Sequence, residues 1–183
     1  MKVTLAKTAG FCFGVQRAVD TVYRILEEEH EKPLDEQRSI YTYGPIVHNE
    51  TVIQKLAAEG VQVLESEEEL ATLHDGIVII RAHGVSKHIY ELLEKQRVEA
   101  VDASCPFVQK IQRIVQQHTA AGEEVFVTGN PEHPEVIGIM GWAEGGISAI
   151  PDIETAEKLP NGEGRSVVVV SQTTFNIDKF KLI

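Results

Sequence analysis

Cys105-Pro106-Phe107-Val108-Gln109-Lys110 repeats the pattern of Cys12-Phe13-Gly14-Val15-Gln16-Arg17. Both read Cys-x-x-Val-Gln-basic, and each opens an apolar series at helical spacing: Val15, Val19, Val22, Ile25 and Leu26 after the first, Val108, Ile111, Ile114 and Val115 after the second. A match this short can arise by chance, so its meaning depends on the order of elements downstream of each cysteine. Outward from Cys12 the pattern predicts a strand over 40–43 ending in Gly44-Pro45-Ile46-Val47-His48-Asn49, a helix over about 50–59, a strand over 61–64 and a short acidic helix. A buried strand over 77–80 then ends in Arg81-Ala82-His83-Gly84, followed by a helix over about 86–96 and a strand over 98–101. Outward from Cys105 the same order returns. A strand over 125–127 ends at Gly129-Asn130-Pro131-Glu132-His133-Pro134-Glu135, a helix covers about 136–143, a strand 147–150, a helix about 154–159, and a strand over 167–170 opens into Ser171-Gln172-Thr173-Thr174. The chain is therefore read as a repeat of about 90 residues. Alternating helices and strands imply an α/β fold of repeated small parallel-sheet lobes with flanking helices around a central cavity.

Composition narrows the classes of function. With 183 residues and 43% hydrophobic content, the chain is long enough for one large domain or two small ones, and disorder is not expected. A formal charge of -11, from 28 acidic and 17 basic residues, gives no basic field to neutralise a nucleic-acid backbone, so no nucleic-acid partner is expected. Met1-Lys2-Val3-Thr4-Leu5 does not read as a charged leader before an apolar run, and no stretch reaches the roughly 18 apolar residues of a membrane span. A cytoplasmic protein without a membrane partner is expected.

In parallel sheets, sites form beyond the carboxyl ends of strands, where loops feed helix N-termini. Cys12, Cys105, His48, His83, His133 and Thr173 all fall at such positions, and two lobes packed about a pseudo-symmetry axis would bring them to one cavity. Two cysteines this far apart do not make a disulfide framework. Each is either a buried small hydrophobe or a thiolate, stabilised by helix N–H groups, that ligates metal. Iron-sulfur clusters generally want three or four thiolates. The repeat puts a third copy of the position near ~195 to 198, beyond Ile183. Three imidazoles can grip a diphosphate, with help from Gln172, Thr173 and Thr174. A mononuclear zinc site is the lesser alternative, because no ligands stand roughly two to five residues apart. His30, His74, His88 and His118 read as solvated surface side chains. Glu135 is equally a proton relay or a first-turn glutamate favoured by the helix dipole.

Six segments, in order, carry a family resemblance: Gly10-Phe11-Cys12-Phe13-Gly14-Val15, Gly44-Pro45-Ile46-Val47-His48-Asn49, Ala82-His83-Gly84-Val85-Ser86, Asp102-Ala103-Ser104-Cys105-Pro106, His133-Pro134-Glu135-Val136 and Ser171-Gln172-Thr173-Thr174. Over nearly its whole length the chain resembles the 4-hydroxy-3-methylbut-2-enyl diphosphate reductases of the non-mevalonate isoprenoid pathway. The resemblance implies that Cys12 and Cys105 are two of three cysteine ligands to a 4Fe-4S cluster, and that His48, His83 and His133 bind the substrate diphosphate. It further implies that Thr173 contacts the substrate near its hydroxyl and that Glu135 takes part in proton delivery. Electrons from ferredoxin or flavodoxin would reduce the allylic alcohol to isopentenyl and dimethylallyl diphosphate. The implied fold is a three-lobed trefoil, with a strand over 1–13 belonging to a third lobe, 14–104 the first lobe and 105–183 the second. Family members continue past the length of this chain, and a monomer is expected at full length. The 183 residues alone are therefore expected to hold a cluster weakly and to turn over poorly. The rival reading is a non-catalytic module that binds phosphorylated metabolites without a cluster.

Overall fold

A computed structural model of the chain describes residues 2–96, 98–159, 164 and 166–183. Up to Asp102 the chain runs α1 (Phe13–His30), β1 (Ile40–Tyr43), α2 (Glu50–Ala58), β2 (Gln62–Leu64), α3 (Glu67–Ala71), β3 (Ile77–Ile80), α4 (Lys87–Lys95) and β4 (Glu99–Asp102). From Pro106 it runs α5 (Pro106–Ala120), β5 (Glu124–Thr128), α6 (Pro134–Met140), β6 (Ile147–Ile150), α7 (Ile153–Glu157), β7 (Val167–Ser171) and α8 (Ile177–Leu182).

The strands form two sheets, ordered β2-β1-β3-β4 and β6-β5-β7, and every pairing is parallel. In each sheet the first strand lies between the second and the third, so the order of elements expected from the sequence has become a repeated topology. Because the strands of a sheet all run one way, the loops that follow β1 and β3, and those that follow β5 and β7, open at one end of their sheet.

Burial follows the two periodicities. Val19, Val22, Ile25 and Leu26 give α1 one apolar stripe, which packs on Ile40, Ile77 and Ile79 of the first sheet. The opposite face of that sheet, with Val78 and Ile80, is covered by Leu70 of α3 and by Ile89 and Leu93 of α4. All four β3 residues are buried, as expected for a central parallel strand covered on both faces. The second core joins Val115 of α5, Val125 and Val127 of β5, and Val136 and Ile139 of α6. Strand β7 differs: Val167 and Val169 are 45% and 50% exposed while Val170 is buried. As an edge strand with one face uncovered, it alternates despite its continuous valine run.

The expected N-terminal strand, assigned to a third lobe, pairs with neither of the two sheets described. Met1 lies outside the described residues, and residues 2–12 join neither sheet, with Val3 and Leu5 81% and 83% exposed. The alternation of Val3 and Leu5 is strand-like, but a strand needs a ladder to pair with, and this segment has none here. Among the described residues no helix is long and apolar enough to cross a membrane.

Candidate active site

His48 ends the loop after β1. That loop turns at Gly44, which has φ +69 and no room for a Cβ because the Arg81 guanidinium occupies the space. Asn49 then caps α2 by accepting from the Val52 N–H at 3.2 Å. His83 stands in the turn after β3, and the Ala82 N–H donates to the Ile46 carbonyl at 3.3 Å, which ties this turn to the His48 loop. His133 is the N-cap of α6, its Nδ1 accepting from the Glu135 N–H at 3.1 Å. This cap starts the helix at Pro134, earlier than the apolar pattern alone indicates. The three imidazoles meet, with ring centroids 4.7 Å apart for His48 and His83, 5.4 Å for His83 and His133, and 6.1 Å for His48 and His133. One ring nitrogen from each lies within 4.8 Å of the others.

Burial, the neighbouring imidazoles and Arg81 push the His83 ring down to about 4. Burial is also the main cause that lowers His133, with His48 and Arg81 adding to it and Glu135 opposing. Both rings are therefore neutral near pH 7. Since His133 Nδ1 accepts the capping hydrogen bond, the bonding pattern assigns the ring proton to Nε2, which makes that atom a donor. A zinc ion would need Nε2 deprotonated, leaving an Nδ1–H facing the Glu135 N–H, or would have to displace the cap at Nδ1. The arrangement thus favours an anionic oxygen over a metal at His133. Arg81 adds a cation with no carboxylate partner among the described residues. Its Nε and the Nδ1 of His83 are buried without hydrogen-bond partners there.

The two cysteines occupy equivalent places as the N-caps of α1 and α5, and both are free thiols. Pro106 sits in the first turn of α5, where a missing N–H is harmless. The α1 helix comes so close to Cys105 that a Cβ on Gly14 would lie 2.5 Å from the Sγ. Arg17 donates to the Ser104 carbonyl at 2.7 Å, and the Cys105 N–H donates to the Ala82 carbonyl at 2.9 Å, beside His83. Cys12, Gly14, Cys105, Lys110 and Thr173 line one cavity of about 710 Å³.

The imidazoles are not among the residues lining that cavity; Glu135 and Thr173 join the two halves. Glu135 is 1% exposed. One carboxylate oxygen accepts from the Thr173 N–H at 2.6 Å and the other from its hydroxyl at 2.8 Å. The chain of contacts runs from His133, through its cap on Glu135, to Thr173 at the cavity wall. Thr174 also lines the cavity. Gln172 does not lend its amide to the site as expected: it is buried, accepting from the Asn130 N–H and donating to the Thr174 hydroxyl.

Sequence reading missed the support of Cys105. Asp102 accepts from the Ser104 N–H at 2.8 Å, the Ser104 hydroxyl at 2.5 Å, the Tyr90 hydroxyl at 2.9 Å and the Gln109 amide at 2.9 Å. The recurring glutamine of the Cys-x-x-Val-Gln pattern was the available signal, although its counterpart Gln16 turns to Asp20 instead. The surface assignments are consistent with position: His88 pairs with Glu67 and His118 with Glu123, and His30 and His74 are exposed.

A family model described as "LytB protein" matches residues 3–183. A 4-hydroxy-3-methylbut-2-enyl diphosphate reductase from Caldanaerobacter subterraneus subsp. tengcongensis is 42% identical over 174 residues, covering 95% of this chain and 58% of the relative. One from Geobacter metallireducens is 39% identical over 181 residues, covering 99% and 60%. The solved E-1-hydroxy-2-methyl-but-2-enyl-4-diphosphate reductase of Plasmodium falciparum superposes with a TM-score of 0.85 at 32% identity, over 97% of this chain and 53% of that one. A second solved structure, of (E)-4-hydroxy-3-methyl-but-2-enyl diphosphate reductase, gives 0.80 at 34%, over 98% and 60%. The chain spans 58% and 60% of the length of the two curated relatives.

Proposed function

Because the chain belongs to the LytB protein family, we propose that it carries most of the active site of a 4-hydroxy-3-methylbut-2-enyl diphosphate reductase, an iron-sulfur oxidoreductase of the non-mevalonate isoprenoid pathway. The observation that carries this reading is the meeting of His48, His83 and His133 from three separate loops, joined through Glu135 and Thr173 to a cavity shared by Cys12 and Cys105. In this reading the imidazoles hold the diphosphate, with His133 donating from Nε2 and Arg81 adding a fixed positive charge nearby.

The donor set fits part of an iron-sulfur cluster. Two thiols at helix N-termini, one accommodated by the missing side chain of Gly14, would hold two irons of a 4Fe-4S cluster, which wants at least one further ligand. When bound, such a cluster supplies the two electrons of the reduction, passed on from ferredoxin or flavodoxin. The chain's own residues manage the protons. The allylic alcohol takes up two electrons and two protons; the C–O bond breaks, one proton leaves with the hydroxyl as water, and the other is added to carbon, giving isopentenyl or dimethylallyl diphosphate. Glu135, once protonated, gives its proton to the Thr173 hydroxyl, which passes its own to the departing oxygen. The same reading makes 14–104 and 105–183 the first two lobes of a trefoil, assigns 1–13 to the third, and expects a cytoplasmic protein, monomeric at full length.

Anaerobic reconstitution with iron and sulfide tests this function. Bound iron and broad visible absorbance are expected in the wild-type protein, and both are lost in Cys12→Ser and Cys105→Ser. A colourless wild-type protein that binds inorganic diphosphate equally well after both substitutions would instead identify a metabolite-binding module.

A further inference from the structure

His83 and His133 belong to different sheets, yet their rings stand 5.4 Å apart. Their spacing therefore depends on how the His83 turn docks against the second lobe. The carbonyl of Val85, two residues after His83, accepts two hydrogen bonds from that lobe: one from the Trp142 indole Nε1 at 2.8 Å and one from the Gln112 amide at 3.2 Å. Gln112, on α5, is 2% exposed. Trp142 follows the Gly141 C-cap of α6, and His133 caps the other end of that same helix. One short helix thus presents an imidazole at its start and grips the opposing imidazole's turn at its end.

The close approach is built into the backbone. Gly84 has φ +68, and a Cβ there would fall 2.7 Å from the Gln112 amide nitrogen. A Cβ on Gly138 of α6 would lie 3.3 Å from the Gly84 carbonyl oxygen, and Gly141 leaves space that the Ser86 side chain fills. The Lys87 N–H donates to the Gly141 carbonyl at 3.3 Å, and Tyr90 meets Trp142 edge-on at 5.6 Å. We infer that Gln112 and Trp142 are positioning residues for anion binding: by saturating the Val85 carbonyl they fix His83 at its working distance from His133. The inference rests on the diphosphate reading of the imidazole cluster and adds to it a device that neither side chain performs by touching the ligand.

Calorimetric titration with inorganic diphosphate, applied to the wild-type chain, Trp142→Phe, His83→Asn and the double variant, tests this. Trp142→Phe keeps an aromatic ring against Tyr90 and deletes one donor, so affinity should fall roughly tenfold, the scale of one lost hydrogen bond. In the double variant it should fall no further than in His83→Asn alone, because Trp142 acts through His83. Independent, additive losses, or no loss in Trp142→Phe, would overturn the inference. A second arm needs no ligand. The His83 ring titrates at about 4 in the native arrangement, and in Trp142→Phe or Gln112→Met its midpoint, followed by NMR, should rise toward the ordinary imidazole value as the turn loosens and hydrates. An unmoved midpoint in both variants overturns the positioning role. Failure of the wild-type chain to bind diphosphate overturns the anion-site reading on which the inference rests, whereas diphosphate binding that is equally tight in the wild-type chain and in Trp142→Phe overturns the inference alone.

Discussion

Gly14 shows how much chemistry a missing side chain carries. The Cys105 Sγ occupies the space that a Cβ would need, so Gly14→Ala must displace either the thiol or the first turn of α1. Alanine in a helix gains about 1 kcal/mol over glycine and overpacking costs about 1–3 kcal/mol, so the net change in stability should stay within about 2 kcal/mol. Iron retention after reconstitution should fall far more than the melting temperature does. Equal iron content in the two proteins would count against Cys105 as a ligand. At this scale the sequence was only partly legible. Cys12, Cys105, His48, His83 and His133 stood out because each follows a strand or opens a helix in a motif with glycine or proline. Gln112 and Asp102 did not, since what makes them matter is a partner distant in the chain or a convergence of donors that no spacing encodes. On sequence grounds Glu135 fits two roles equally. Its 1% exposure and its two bonds to Thr173 are what the proposed proton relay needs, and no spacing in the sequence encodes them.

Helix α1 carries a second feature at its far end. Glu29 in its last turn is 3% exposed and is bonded by the Arg38 guanidinium at 2.9 Å, the Arg38 N–H at 2.9 Å and the Lys32 ammonium at 2.6 Å. The Arg38 side-chain bond, followed by the Lys32 and backbone bonds, holds the carboxyl down to about 2 against the opposing effect of burial. Because the folded value lies below the unfolded one of 4.5, this stabilisation is complete above about pH 4.5 and is lost as the pH falls toward 2. Glu29→Gln should therefore cost about 2–3 kcal/mol at pH 7 and much less near pH 2, as measured by denaturant unfolding. An equal cost at both pH values would remove the ion cluster from the account of α1. Long periodic elements such as α1 and α5 were readable because their apolar stripes are unambiguous. Helix α8 leaves no apolar stripe in the sequence, although Asn176 caps it by accepting from the Asp178 and Lys179 N–H groups, because it is short and buries no residue. The segment 2–12 has the letters of a strand without the partner that would make it one.

For the molecule as a whole, the repeat seen in the sequence becomes two sheets that each place their first strand between the second and third, with a fourth strand added only to the first sheet, and the imidazole cluster forms where their loops meet. His48 and His83 come from the first sheet's loops and His133 from the second's, so neither lobe holds the cluster alone. Convergence of this kind was foreseeable from strand-end positions, but the distances were not, because they depend on the docking through Val85, Gly84 and Gly138 that no single-segment pattern describes. Side-chain NMR of all seven histidines during a titration with inorganic diphosphate tests the shared site most directly. His48, His83 and His133 should shift together along one binding curve while His30, His74, His88 and His118 stay in place. Three separate curves, or shifts no larger in the cluster than at the surface histidines, would contradict a single anion site between the lobes.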